Sequence, residues 1–138
     1  MKRFEAIDHP SDIGIIAYGK DLKELFENAA FGMFSLMGDI EAVTPEVEKE
    51  FKTSGSDKES LLINWLNELI FTEDTKKIMF KDFKVLSLSD KSLTAKAFGC
   101  RAPSSKPLIS RSIKGATFNQ LEIKKIKSGL SARIVFDV

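Results

Sequence analysis

The stretch Asp8-His9-Pro10-Ser11-Asp12-Ile13-Gly14 brings together two carboxylates, the single His of the chain and a Pro, immediately before an apolar run. A polar turn feeding a strand can hold a reactive or metal-binding group rigidly, because the strand fixes the backbone beside it. The same residues also make an ordinary turn, with Pro10 setting the bend and Ser11 or Asp12 bonding local backbone groups. At the other end of the sequence, Ile134-Val135-Phe136-Asp137-Val138 embeds a carboxylate in an apolar strand, with a main-chain carboxylate one residue further on. Alternation puts Leu130, Ala132, Ile134, Phe136 and Val138 on one face and Ser131, Arg133, Val135 and Asp137 on the other. A carboxylate partly buried in such a strand is costly unless it meets a cation or hydrogen-bond donors.

The elements that position these two ends follow from periodicity. Phe4 to Ile7 is a short strand. Ile13 to Tyr18 is apolar on both alternating faces, which suits a central strand covered wholly or partly on both sides. Asp21-Leu22-Lys23-Glu24 is a capping box, and Leu22, Leu25, Phe26, Ala29, Met33, Phe34 and Met37 follow at helical spacing up to Gly38. Glu41 to Glu50 is acidic and loop-like, and Val47 to Thr53 is a weakly alternating strand that Gly55 breaks. Ser56-Asp57-Lys58-Glu59 reads as a second capping box, before a helix whose buried stripe is Leu62, Trp65, Leu66, Leu69 and Ile70. Ile78 to Leu88 and Ser92 to Cys100 form an antiparallel hairpin. Three further extended pieces close the chain: Ser112 to Phe118, Leu121 to Ile126 and Leu130 to Val138. The pattern predicts an α+β single domain over 1–138, two helices packed on a mostly antiparallel or mixed β-sheet, with the strand order left open.

Composition sets bounds on function. The chain has 138 residues, 43% hydrophobic and 30% charged, ordinary for a globular protein. Its net charge of +1 offers no global steering toward nucleic acid or membrane, but the balance is uneven. Arg101 to Arg133 holds eight Lys/Arg against the single acid Glu122, a local charge of +7, so the remainder carries −6. That third supports contact with phosphates or an acidic partner, or is simply a set of strands with a solvated Lys face. One cysteine, Cys100, excludes an intrachain disulfide. The absence of an N-terminal apolar region or a long apolar run gives the expectation of a cytoplasmic protein with no membrane partner.

Four stretches carry a resemblance to a known family. His9-Pro10-Ser11-Asp12-Ile13-Gly14 is similar to the H-T-A-D-I/V-G signature of the archease family, the small activators of the GTP-dependent RNA-splicing ligase of the RtcB type. Leu25 to Phe34 resembles the family's first helix, and Leu61 to Ile70, with Trp65-Leu66-Asn67-Glu68-Leu69, its second. Ile113-Lys114-Gly115-Ala116-Thr117-Phe118 and Val135-Phe136-Asp137-Val138 resemble its K-A-V-T-Y-H and F-D-V endings. The match runs in order through nearly the whole chain. It implies that Asp12 and Asp137 bind a divalent cation with Val138 contributing, and that Lys114 matters for ligase activation. Departures are Asn119 where the family has His, Gly115 where it has Ala, and Pro10-Ser11 where it has Thr-Ala. The implied ligands are hard oxygen donors that suit Ca²⁺, Mg²⁺ or Mn²⁺ rather than Zn²⁺. Clustered carboxylates repel one another unless a cation lies among them. His9 is open to two readings, a nitrogen ligand or partner contact and a structural residue.

The resemblance therefore implies a non-enzymatic activator that docks on the ligase, assists its metal-dependent guanylylation and permits multiple turnover, reaching tRNA only through the ligase. The sequence has no G-x-x-x-x-G-K-[ST] and no G-x-G-x-x-G after a strand, as fits a helper that binds no nucleotide. Two alternatives stand beside it. A metal-dependent hydrolase built on Asp12, Asp137 and His9 needs a substrate pocket beside the metal. An RNA-binding module built on the Arg101–Arg133 segment lacks clustered exposed aromatics for base stacking.

Overall fold

The computed structural model describes residues 1–7 and 11–138. Among these residues two helices, α1 (Leu22–Met37) and α2 (Lys58–Lys76), are set among seven strands: β1 (Phe4–Ala6), β2 (Ile13–Gly19), β3 (Val47–Ser54), β4 (Ile78–Leu88), β5 (Ser92–Arg101), β6 (Gly115–Ile126) and β7 (Gly129–Asp137). The strands form two sheets rather than one, in the orders β1-β2-β7-β6 and β3-β5-β4, with antiparallel pairing throughout. The α+β class is as expected; the division of the sheet follows from where the helices lie. Helix α1 touches β2 of one sheet and β4 of the other, and α2 touches β6 of one and β3 of the other. The helices thus form a layer between the sheets.

That placement explains why α1 buries more than a stripe. Leu25, Phe26, Asn28, Ala29, Ala30, Gly32, Met33, Phe34 and Met37 are all buried, a girdle wider than the roughly 100° face of a helix packed on one side. Phe34 meets Phe80 and Phe83 of β4 with ring centroids 5.6 Å apart. Trp65 of α2 meets Phe51 of β3 edge-on at 5.6 Å, and its indole N–H donates to the Phe26 carbonyl at 3.1 Å. An indole buried this deeply needs such a partner for its one donor.

Both helices open on an aspartate. Asp21 accepts the Glu24 N–H at 2.9 Å, while the Glu24 carboxylate accepts the Lys20 N–H at 3.0 Å. At α2 the cap is Asp57, which accepts the Ser60 N–H at 2.8 Å, and the Ser60 and Ser56 hydroxyls are 3.1 Å apart. The box therefore lies one residue later than Ser56–Glu59. A carboxylate serves this position well because its charge also meets the positive end of the helix dipole. Lys77 closes α2 in the left-handed region, φ 58°, with its N–H on the Glu73 carbonyl at 2.8 Å.

The pieces Ser112–Phe118 and Leu121–Ile126 are largely one strand. Strand β6 pairs with β7 from Gly115 to Ile126, but its register shifts between Thr117 and Glu122, where Gln120 has φ 58°. Thr117 holds the start of this irregularity, its hydroxyl donating to the Val135 carbonyl at 2.9 Å. Gly129 opens β7 at φ 147°, where any Cβ would stand 2.2 Å from the Gly19 carbonyl oxygen.

Candidate functional site

The site is built by register. Strand β2 pairs with β7 from Gly19↔Leu130 to Ile13↔Phe136, and Asp12 and Asp137 each lie one residue beyond that last pair, so both lie at this end of the ladder. With side chains alternating at period two, both aspartates belong to the outer face of the sheet, together with Gly14 and Val135. Gly14 allows this end to close: a Cβ there would stand 2.4 Å from the Ile134 carbonyl oxygen and 2.8 Å from Ile7 Cδ1. On the other side of β7, Asp137 pairs with Gly115, and the Lys114 N–H donates to the Asp137 carbonyl at 2.7 Å. Asp12, Asp137–Val138 and Lys114, far apart in sequence, thus share one end of the four-stranded sheet. Asp12 is half-buried, and Asp137, Val138 and Lys114 are exposed. His9 lies outside the described residues.

The fit to a cation is decided by geometry and donor type. Two aspartates at one end of the ladder would offer hard oxygens to a shared cation, with Gly115 adding no side chain opposite Asp137. Among the described residues no group of three or more His, Cys, Asp or Glu could hold a metal, so main-chain oxygens and water would complete a coordination shell of about six to eight. Partial hydration suits an exposed site of this kind. The residues present therefore fit Ca²⁺, Mg²⁺ or Mn²⁺.

The Lys114 side chain faces different surroundings. It lines a cleft of about 550 Å³ with Asn67, Phe71, Glu73, Asp74 and Ile113, and it is ion-paired to no carboxylate among the described residues. Burial, followed by the neighbouring Asp74, pushes the Glu73 carboxyl above its ordinary range, while Lys77 opposes the shift. A second cleft, of about 530 Å³, lies on the other flank of α2, lined by Lys52, Thr53, Ser54, Asn64, Asn67, Glu68 and Phe71. Asn67 and Phe71 border both clefts, and Phe71 is 66% exposed. Neither residue was legible as functional in the sequence. Asn67 stands in the Trp65-Leu66-Asn67-Glu68-Leu69 stretch, where the only signal is an amide at the margin of an apolar stripe.

The basic third is dispersed. Lys124 and Arg133 line a shallow cleft on the outer face with Tyr18, Glu122 and Ser131, whereas Lys125 pairs in register with Leu130. Phe118 is exposed, but Tyr18 donates its hydroxyl to Glu5.

The chain as a whole follows a sequence pattern found in other proteins. A model of the Archease protein family matches residues 4–138. Protein archease of Methanosarcina barkeri is 36% identical over 99% of this chain and 97% of its own. The corresponding protein of Sulfolobus acidocaldarius is 37% identical, with 100% of both chains covered. The solution structure of Methanobacterium thermoautotrophicum protein 1598 matches with a TM-score of 0.78 at 35% identity, again over 100% of both chains. With its two ends brought together by the β2–β7 register and its whole length matched in this way, the chain belongs to the archease family.

Proposed function

We propose that this chain is a non-enzymatic activator of the GTP-dependent RNA-splicing ligase of the RtcB type. It docks on the ligase with the end of its four-stranded sheet and positions a divalent cation there through Asp12, Asp137 and the main chain of Val138. The cation supplies charge neutralisation and Lewis acidity for guanylylation of the ligase's nucleophile. Lys114, beside the ligands and ion-paired to no carboxylate among the described residues, contacts the partner. The observation that supports this reading is the β2–β7 ladder, which ends at Ile13↔Phe136 and so brings the neighbours Asp12 and Asp137 to one end of the sheet, with the Lys114 N–H on the Asp137 carbonyl.

The chain's own architecture supports a helper without nucleotide chemistry. Gly14 and Gly19-Lys20 have the spacing of a phosphate loop but continue into Asp21 instead of Ser or Thr. Gly14 to Gly19 also run along extended β2, whose residues pair with β7, rather than in a loop of free N–H groups. The two clefts flanking α2 are not lined by Asp12 or Asp137, so they offer no substrate pocket beside the cation for a hydrolase. The test is guanylylation of a purified cognate ligase with and without this protein, at limiting divalent cation. Acceleration is expected; an unchanged rate overturns the proposal.

A further inference from the structure

The Asn67 amide does for β6 what a neighbouring strand would do. Its Oδ1 accepts the Ala116 N–H at 2.8 Å and its Nδ2 donates to the Ala116 carbonyl at 3.4 Å. Strand β6 is the edge of its sheet, so these groups have no strand partner on that side. The bond grips β6 one residue from Gly115, which pairs with Asp137, and two from Lys114, whose N–H is on the Asp137 carbonyl at 2.7 Å. A Cβ on Gly115 would stand 3.5 Å from Asn67 Oδ1, an ordinary contact, so the amide lies directly against this part of β6. Asn64, three residues earlier on α2, makes a comparable bond to the other sheet, from Nδ2 to the Ser54 carbonyl at 2.8 Å. Strand β3 carries none of the candidate ligands.

We infer that Asn67 is a positioning residue for the cation and partner site, latching the edge of β6 to α2 and so holding Lys114 and the Asp137 main chain in place. The inference rests on the reading of Asp12 and Asp137 as cation ligands. Groups that orient a ligand from behind typically change metal affinity by about 10- to 100-fold when removed. The coupling is reciprocal: if the latch tightens cation binding, the cation tightens the latch by the same factor.

Calorimetry with Ca²⁺ on the full chain tests it, using Asn67→Ala, Asn67→Asp, Asn64→Ala and Asp137→Asn. Asn67→Ala is expected to weaken Ca²⁺ binding by about tenfold. Asn67→Asp keeps an oxygen to accept the Ala116 N–H but has no donor for the Ala116 carbonyl, and is expected to recover part of the loss. Asn64→Ala is expected to lower the melting temperature while leaving Ca²⁺ affinity unchanged. Wild-type affinity in Asn67→Ala, no recovery in Asn67→Asp, or equal weakening in Asn64→Ala overturns the latch. Should Asn67→Ala fail to fold, amide exchange on the wild-type chain decides: saturating Ca²⁺ must slow exchange at Ala116 and Lys114, and unchanged exchange overturns the proposal. Asp137→Asn separates the two ideas. If it binds Ca²⁺ normally, the ligand reading itself is wrong; if it loses binding while Asn67→Ala does not, the latch alone is wrong.

Discussion

Lys114, Lys124 and Lys125 carry the same charge, but only Lys114 adjoins Asp137 and opens onto a cleft beside an exposed phenylalanine. Lys124 shares its shallow cleft with the carboxylate of Glu122. Lys114→Ala is therefore expected to slow ligase guanylylation by about tenfold, roughly 1.4 kcal/mol of lost stabilisation. Lys124→Ala and Lys125→Ala are expected to stay near wild type; equal effects from all three would reduce the role to a general basic patch. Glu73, in the Lys114 cleft, carries a separate consequence. Its folded-state carboxyl titrates above the ordinary range because burial, then Asp74, disfavours the charge. Its contribution to stability is thus fully present below the unfolded value of about 4.3 and is lost as pH rises through the folded value. Glu73→Gln is expected to raise the melting temperature at pH 7, with the gain disappearing below about pH 4. Because the group is half-exposed, screening by water keeps the effect to a fraction of about 1 kcal/mol. A gain that persists unchanged at low pH would show that charge is not the cause.

Among the elements, α2 shows most clearly what a local pattern reveals and what it does not. Its span and its buried Leu62, Trp65, Leu66, Leu69 and Ile70 were legible, because a 3.6-residue period needs no knowledge of the partner. The cap lay one residue off, because Ser56 and Asp57 both qualify by type and only the backbone geometry chooses between them. Asp57→Ala is expected to cost about 1 kcal/mol in chemical denaturation and Ser56→Ala a few tenths; the reverse order would place the cap on Ser56. Helix α1 was legible in span but not in the extent of its burial, since Ala30 and Gly32 pack only because a second sheet lies behind them. Gly32 meets Phe4 and Ile15 from that side. Strand β6 was read as two pieces because Asn119-Gln120 interrupts the alternation, and only its partner β7 shows that the ladder resumes at Glu122. At the candidate site, motif resemblance singled out Asp12, Asp137 and Lys114, and the fold brings these three to one end of the four-stranded sheet. Asn67 was not, because its role is to bond a backbone 49 residues away.

For the whole molecule, Asp12 and Asp137 come to one end of the fold through the β2–β7 pairing, so a cation held by both would be linked to the folded state. Strand β2 and strand β7 are central in the four-stranded sheet, and Ile15, Ala17, Ala132 and Ile134 between them are fully buried. A cation that binds Asp12 and Asp137 together binds the folded chain and not the unfolded one. At 100 times its dissociation constant it adds about 2.7 kcal/mol to stability. For a chain of this length that corresponds to roughly 5–10 °C in melting temperature. Without cation two ligand carboxylates this near one another would repel, so on the ligand reading Asp12→Asn and Asp137→Asn should each melt at or above wild type in chelator. In saturating Ca²⁺ the order should reverse, with wild type rising and both variants staying where they were. The same variants should then abolish ligase activation while keeping the wild-type circular dichroism spectrum. Purely structural aspartates would give the opposite pattern, with both variants melting below wild type in chelator and calcium alike. Melting curves of the three chains, with and without Ca²⁺, therefore decide between a ligand pair and a structural one.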